Sequence, residues 1–208
     1  MKISYSLLTH NETSNLEKLL QFLVDHKDEE DEIVILDDHS TNEETKTILD
    51  GYVSVHDMKF EQRYLKGDFA GQKNALRLMC TGDWIFNIDA DEIPHKLMFK
   101  NLKTILKHNK DIEMFYVPRV NTVSGLTQRH IMKWGWGVND KGHINWPDWQ
   151  SRLWQNKSHI YWDRSVHETL TGFKNYSFLP EEERFALYHP KTIEQQEKQN
   201  EFYSKIPR

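Results

Sequence analysis

Three short stretches of this chain carry the residue types that could do chemistry: Thr9-His10-Asn11-Glu12, Asp37-Asp38-His39-Ser40 and Asp89-Ala90-Asp91-Glu92. The third is the most telling, because the apolar run Ile85-Phe86-Asn87-Ile88 ends there in three acids within four residues. Packing does not favour that ending, since burying an unpaired carboxylate costs several kcal/mol or more. The acids must meet water or a cation. Residues i and i+2 of an extended segment point the same way, so Asp89 and Asp91 are expected to approach one ligand together. No GxGxxG follows the first apolar segment and no GxxxxGK[ST] occurs. Neither a dinucleotide fingerprint nor a P-loop is present, so a divalent metal held by carboxylates is the plain counter-charge for a phosphate ligand.

The elements that must position these acids alternate. Ile3 to Leu8 reads as a short strand, and Asn11 to His26 has the 3,4 apolar spacing of an amphipathic helix at Leu16, Leu19, Leu20, Leu23 and Val24. Glu32 to Leu36 is a second strand, about Asn42 to Leu49 a helix, Val53 to Phe60 a third strand, and Gln72 to Cys80 a helix. Asp83 to Asp89 is a fourth strand. Glu92 is expected to cap a helix that has Pro94 in its first turn and runs through Leu106, and Glu113 to Val120 is a fifth strand. Strand–helix units at this spacing predict an α/β fold with a mainly parallel sheet and helices on its faces. Ligands gather at the carboxyl ends of such strands, which is where all three acidic stretches fall. Beyond about residue 121 the texture becomes aromatic and glycine-punctuated, with every tryptophan except Trp84, and reads as long loops and short strands ahead of a tail helix.

Composition narrows the class further. The 208 residues suit one domain; 38% are hydrophobic and 28% charged, as in an ordinary globular protein. No window approaches a membrane span and no cleavable leader is evident, so a cytoplasmic location is expected. The lone Cys80 is expected to be a small buried filler. The net charge of −5 argues against a general polyanion binder. The acidic excess is confined to the first half of the chain. No HxxxH pair or GxSxG elbow occurs.

Taken in order, "SLLTHNE", "IVILDDHSTNEET", "GQKNALRLMCTGDWIFNIDADE" and "SVHETL" resemble the successive landmarks of glycosyltransferase family 2, inverting enzymes with the GT-A fold. The resemblance covers residues 3–93 well and 146–203 more loosely. Its second part is most similar to the branch containing the lipopolysaccharide-core glucosyltransferases. It implies a Rossmann-like, mainly parallel sheet with an aromatic-rich acceptor segment: one GT-A domain over 1–208, with 1–120 binding the nucleotide-sugar and 121–208 the acceptor.

The implied activity is metal-dependent, inverting transfer of one sugar from a nucleotide-diphosphate sugar, a UDP-sugar first, to an acceptor hydroxyl. By the same resemblance, Thr9 and Glu12 line the nucleotide pocket, Asp38 reads the base edge with Asp37 in support, and Lys73 touches phosphate or base. Asp89-Ala90-Asp91 matches the DxD signature. Asp89 would meet the ribose or a metal-bound water, and Asp91 would hold Mn2+ or Mg2+, with His189, or else His167, as an extra ligand. Glu168 is the first candidate for the base on the acceptor side and Asp148 the second. Arg152 and Arg164 could contact the diphosphate or an anionic acceptor, and Trp134, Trp136, Trp146 and Trp149 could stack on a sugar or a base. The expected acceptor is a glycan or a lipid-linked, lipopolysaccharide-core sugar, with peripheral membrane contact compatible. A hydroxymethylated DNA base is a second candidate, since aromatic and cationic groups can hold an extruded base. A non-catalytic nucleotide- or sugar-binding module and a nucleotidyltransferase are the remaining alternatives, and the sequence leaves the oligomeric state open.

Overall fold

The computed structural model describes residues 1–204. Its first half alternates as expected: β1 (Ile3–Thr9), α1 (Ser14–His26), β2 (Glu32–Asp37), α2 (Glu43–His56), β3 (Lys59–Gln62), α3 (Phe69–Met79) and β4 (Trp84–Asn87). There follow β5 (Ile93–Pro94), α4 (Lys96–His108), β6 (Met114–Ser124), α5 (Gln128–Trp134), β7 (Ile144–Gln155), β8 (Tyr161–Asp163), β9 (Thr169–Thr171), β10 (Tyr176–Phe178), β11 (Leu187–Thr192) and α6 (Ile193–Ser204).

The main sheet runs β3-β2-β1-β4-β7-β6-β11-β5, with β10 also paired to β6. Strands β3, β2, β1 and β4 are mutually parallel, as are β6, β10 and β11, whereas β7 is antiparallel to both of its neighbours. Because β2 and β4 flank β1 on opposite sides, strand order reverses at the carboxyl end of β1, the place where open α/β sheets form a crevice. Thr9 and Asp37 are level there.

Apolar periodicity fixes the two faces. Leu16, Leu19, Leu20 and Leu23 of α1 and Met98, Phe99, Leu102 and Leu106 of α4 bury one stripe each against Ile3, Tyr5, Leu7 and Phe86. On the opposite face Leu76 and Cys80 join Val34, Leu36, Ile85 and Trp154, and the β8–β9 ribbon adds Trp162 and Leu170. Cys80 is the buried filler expected, its thiol pushed up to about 12 by burial.

Three elements depart from the sequence reading. The Val53 to Phe60 stretch is not a strand: α2 runs on to His56 and stops where Asp57 turns left-handed at φ 49°, leaving β3 to begin at Lys59. Asn42 caps α2 by accepting from the Glu44 and Thr45 amides. Glu92 caps nothing, because Ile93–Pro94 pairs with β11 and α4 starts three residues later on His95. The aromatic stretch expected to be long loops and short strands contains instead the long, twelve-residue strand β7, inserted between β4 and β6.

The sheet end remote from the acids is held by a buried carboxylate. Glu32 accepts from Lys2 Nζ at 2.6 Å, Ser4 Oγ at 2.6 Å and the Thr81 amide at 2.6 Å. Burial raises its carboxyl, but these hydrogen bonds outweigh burial and hold it far below the ordinary 4.5. A depressed folded-state value contributes stability above the unfolded value and loses it as pH falls below. Glu32→Gln should therefore lower the urea midpoint at pH 7 and flatten its decline between pH 5 and pH 2. An unchanged acid limb in the variant would remove this role.

Candidate functional site

The acids of "DADE" lie in a turn beyond β4 and not on an extended strand end. The Glu92 amide donates to the Asp89 carbonyl at 2.9 Å, and the Asp89 amide donates to Glu92 Oε2 at 3.0 Å. Asp89 and Asp91 accordingly take different partners. Arg152, 3% exposed on β7, forks onto Asp89, with Nη1 at 3.0 Å from Oδ1 and Nη2 against Oδ2. Burial pushes the Asp89 carboxyl up, but Arg152 and then Lys73 override it, so the acid is held well below the carboxylate range. Arg152 thus lies beneath the acid pair.

Asp91 faces the other way. His189, on β11, has Nδ1 at 2.7 Å from Asn121 Oδ1 and Nε2 at 3.0 Å from Asp91 Oδ2, and Lys191 Nζ is 3.5 Å from the same oxygen. An amide oxygen only accepts, so His189 Nδ1 is the donor to Asn121 and Nε2 is aimed at the carboxylate. The Nδ1–Asn121 contact fixes the ring as the outer partners of a metal-ligating histidine do. Burial raises the Asp91 carboxyl, but His189 more than offsets it and the net direction is down.

Two cavities of about 300 and 370 Å3 meet at these acids, for Asp89 and Asp91 line both. The first also takes Thr9, Glu12, Asp38, Leu65, Lys73 and Glu168. In it Asp38 Oδ1 accepts from the Leu65 amide at 2.8 Å, and Thr9 Oγ1 is buried without a hydrogen-bond partner. Asp37, 1% exposed, does not reach the cavity surface; it accepts from the Ser40 amide and hydroxyl and from Gln62, locking the loop that carries Asp38. Burial and then Asp91 raise the Glu12 carboxyl. Lys73, in the first turns of α3, lies 2.6 Å from Glu168 Oε1 and 4.2 Å from the Trp162 ring centroid.

The second cavity is lined by Arg119, Asn121, Trp136, Asn145, Asp148, His189, Lys191, Gln196 and Gln199. Asp148, on β7, accepts from Arg119 Nε at 2.8 Å, Arg119 Nη2 at 2.6 Å and Asn121 Nδ2 at 2.8 Å, all on Oδ2, while Oδ1 takes only Gln150 at 2.8 Å. Burial raises its carboxyl, but Arg119 and these amides bring it below the ordinary value. The two acids considered as base therefore stand in different cavities.

The aromatic set divides. Trp136 lines the second cavity with Trp134 packed on it at 4.6 Å between centroids, whereas Trp149 packs on Phe178 and Trp146 near His143. His167 and Arg164 are exposed in the β8–β9 connection. Sequence reasoning missed Arg119, Asn121 and Lys191. Arg119 left a signal, as a lone cation inside the otherwise apolar β6 pattern Met114-Phe115-Tyr116-Val117-Pro118-Arg119-Val120.

A mainly parallel sheet with an acid pair just beyond β4, between two clefts, is the arrangement in which open α/β folds bind a ligand at the carboxyl ends of their strands. The sequence model of glycosyl transferase family 2 matches residues 6–178, and the chain belongs to that family. The SPbeta prophage-derived glycosyltransferase SunS of Bacillus subtilis (strain 168) is 30% identical over 115 residues, 55% of this chain and 25% of SunS. The glycosyltransferase RC0292 of Rickettsia conorii is 28% identical over 118 residues, 55% of this chain and 38% of the relative. The matched region is thus a quarter to two fifths of these relatives' length. Among solved structures, S. aureus TarS superposes with a TM-score of 0.64 at 15% identity, covering 91% of this chain and 37% of TarS. Its 1–349 fragment in complex with UDP-GlcNAc gives 0.60 at 16% identity over 92% of this chain and 59% of the fragment. These likenesses show the GT-A type of fold.

Proposed function

We propose that this chain transfers one sugar, with inversion, from a UDP-sugar to a hydroxyl of a glycan acceptor. The observation that carries the reading is the pair of clefts sharing Asp89 and Asp91, which lets a donor diphosphate and an acceptor reach one point from opposite sides. TarS, whose fold is similar, binds UDP-GlcNAc, which supports a uridine nucleotide here.

In the donor cleft, Asp38 accepts from a base N–H, Thr9 Oγ1 finds the partner it lacks, and Lys73 stands within the pocket to meet phosphate oxygens. Asp91 and His189 fit Mn2+ or Mg2+: a carboxylate and an imidazole nitrogen converge, the ring is fixed from behind by Asn121, and such ions need few protein ligands when phosphates complete the shell. Among the described residues no group of three or more His, Cys, Asp or Glu is placed to hold a metal ion. When bound, the cation neutralises the departing nucleotide diphosphate. Arg152 keeps Asp89 ionised beside it.

In the acceptor cleft, Asp148 is the base we favour over Glu168. Its Oδ1 keeps a free lone pair in the cleft, whereas Glu168 sits on the donor side against Lys73. The acceptor oxygen attacks the anomeric carbon, the bond from that carbon to the diphosphate oxygen breaks, and the acceptor proton passes to Asp148. Trp136, Asn145, Gln196 and Gln199 offer a ring face and amides, the chemistry of sugar recognition. Arg119, His189 and Lys191 are each already paired with a carboxylate. A phosphate-rich DNA acceptor would find little uncommitted charge there.

Calorimetry and thermal shift with UDP, GDP, CDP and TDP, each with and without Mn2+, test the donor assignment. UDP with Mn2+ should stabilise the protein by about 2.7 kcal/mol at a hundredfold excess over Kd. No response to any nucleotide would overturn the reading.

A further inference from the structure

Five charged side chains form one alternating series through the floor of the site: Asp148, Arg119, Glu92, Arg152, Asp89. Glu92 is its centre and is 0% exposed. Its Oε1 accepts from Arg119 Nη1 at 3.0 Å and from Arg152 Nη2 at 2.8 Å, while Oε2 accepts from the Asp89 amide. Arg119 then reaches outward to Asp148 on the acceptor side, and Arg152 to Asp89 on the donor side.

We propose that Glu92 is a positioning residue for the transfer, holding Asp89 and Asp148 in fixed relation through Arg152 and Arg119. This rests on the reading of the chain as a transferase with Asp148 as its base. Stability does not explain the arrangement, since buried ion pairs are often no better than apolar packing. Capping does not explain it either, because α4 starts on His95. Geometry does. The two guanidinium groups carry like charge and converge on one carboxylate oxygen, Glu92 Oε1, at 3.0 and 2.8 Å, so the acid sets where each of them lies. Each guanidinium is a planar fork, so fixing one edge on Glu92 fixes the direction of the other. The base and the donor acid are then registered to one another, and misplacement by about 1 Å can cost 10^2-fold in rate.

Glu92→Gln tests this cleanly, because it leaves two arginines facing two aspartates and no unpaired buried charge. Three quantities are read in wild type, Glu92→Gln, Asp148→Asn and the double variant: melting temperature, Kd of UDP with Mn2+, and UDP release from UDP-glucose or UDP-N-acetylglucosamine with water as acceptor. Glu92→Gln should keep its melting temperature within a few degrees and its Kd within about threefold, while UDP release falls about 10- to 100-fold. The double variant should be slower than Asp148→Asn alone by much less than the full Glu92→Gln effect, since Glu92 acts in part through Asp148. Unchanged turnover in Glu92→Gln, or a double variant slowed by the product of the two single effects, would overturn the proposal while leaving the transferase reading standing. A wild-type protein that neither binds UDP nor releases it would instead sink that reading, and the positioning role with it. Should Glu92→Gln fail to fold, Arg119→Lys carries the same test, because a lysine keeps the charge but cannot bridge Glu92 and Asp148 at once.

Discussion

Asp91→Ala should abolish the Mn2+ dependence of UDP binding and lower turnover about 10^3-fold, from the several kcal/mol that a cation gives a leaving oxygen at 1.36 kcal/mol per tenfold. The argument is one of ligand count. The chain offers two groups that converge on the cation position, and Asp91 is the only one bearing charge. Its neighbour Asp89 cannot replace it, being forked by Arg152 on both oxygens. His189→Ala should be milder, because the carboxylate and the diphosphate would still hold the ion. Folding is not at stake: the Asp91 side chain is a quarter exposed at the cleft edge, and its loss frees His189 and Lys191 to meet water. The check is calorimetry of UDP with and without Mn2+ beside a melting curve. Equal, metal-independent UDP affinity in wild type and variant would refute the assignment.

The convergence of these residues on one rim is legible in the sequence, and the reasons are physical. Thr9, Asp37 and Asp89 close runs of buried strand residues, and polarity at a parallel strand end is where such sheets bind ligands. Those positions fall at the switch point as the pattern predicts. His189 was legible only through the family resemblance; its approach to Asp91 depends on β11 pairing with β6, a contact that no local period encodes. Strand β7 was illegible for a different reason. Its even positions Asp148, Gln150 and Arg152 serve the site, and Pro147 interrupts it, so the strand departs from its own local pattern where function needs it to. Glu92 shows the limit most clearly. Three acids within four residues followed shortly by a proline look like a helix start, and nothing in the local sequence tells that Arg119 and Arg152, 27 and 60 residues on, will converge on the third acid. Val53 misled by its pattern: the alternating Val53-Ser54-Val55 mimics a strand, but the α2 cap at Asn42 and the turn at Asp57 set the helix bounds instead.

The largest remaining contrast is between the two acids that sequence reasoning offered as the base, Glu168 first and Asp148 second. Asp148→Asn should lower turnover about 10^2- to 10^4-fold, the range for loss of a positioned base, with the Kd of UDP and Mn2+ unchanged. Glu168→Gln should do the reverse, shifting donor affinity while slowing turnover less than about tenfold, because what it removes is the partner of Lys73 in the donor cleft. The asymmetry follows from placement. A base must share a cavity with the acceptor and keep an uncommitted lone pair, and Asp148 Oδ1 has both, its second oxygen being saturated by Arg119 and Asn121. The asparagine variant is conservative in shape and leaves Arg119 paired with Glu92, so the fold should persist. Steady-state kinetics at saturating donor, paired with calorimetry, decide the matter. Should Glu168→Gln lose turnover at full donor affinity while Asp148→Asn retains it, the base stands in the donor cleft, and the acceptor must then enter past the β8–β9 ribbon instead of over Trp136.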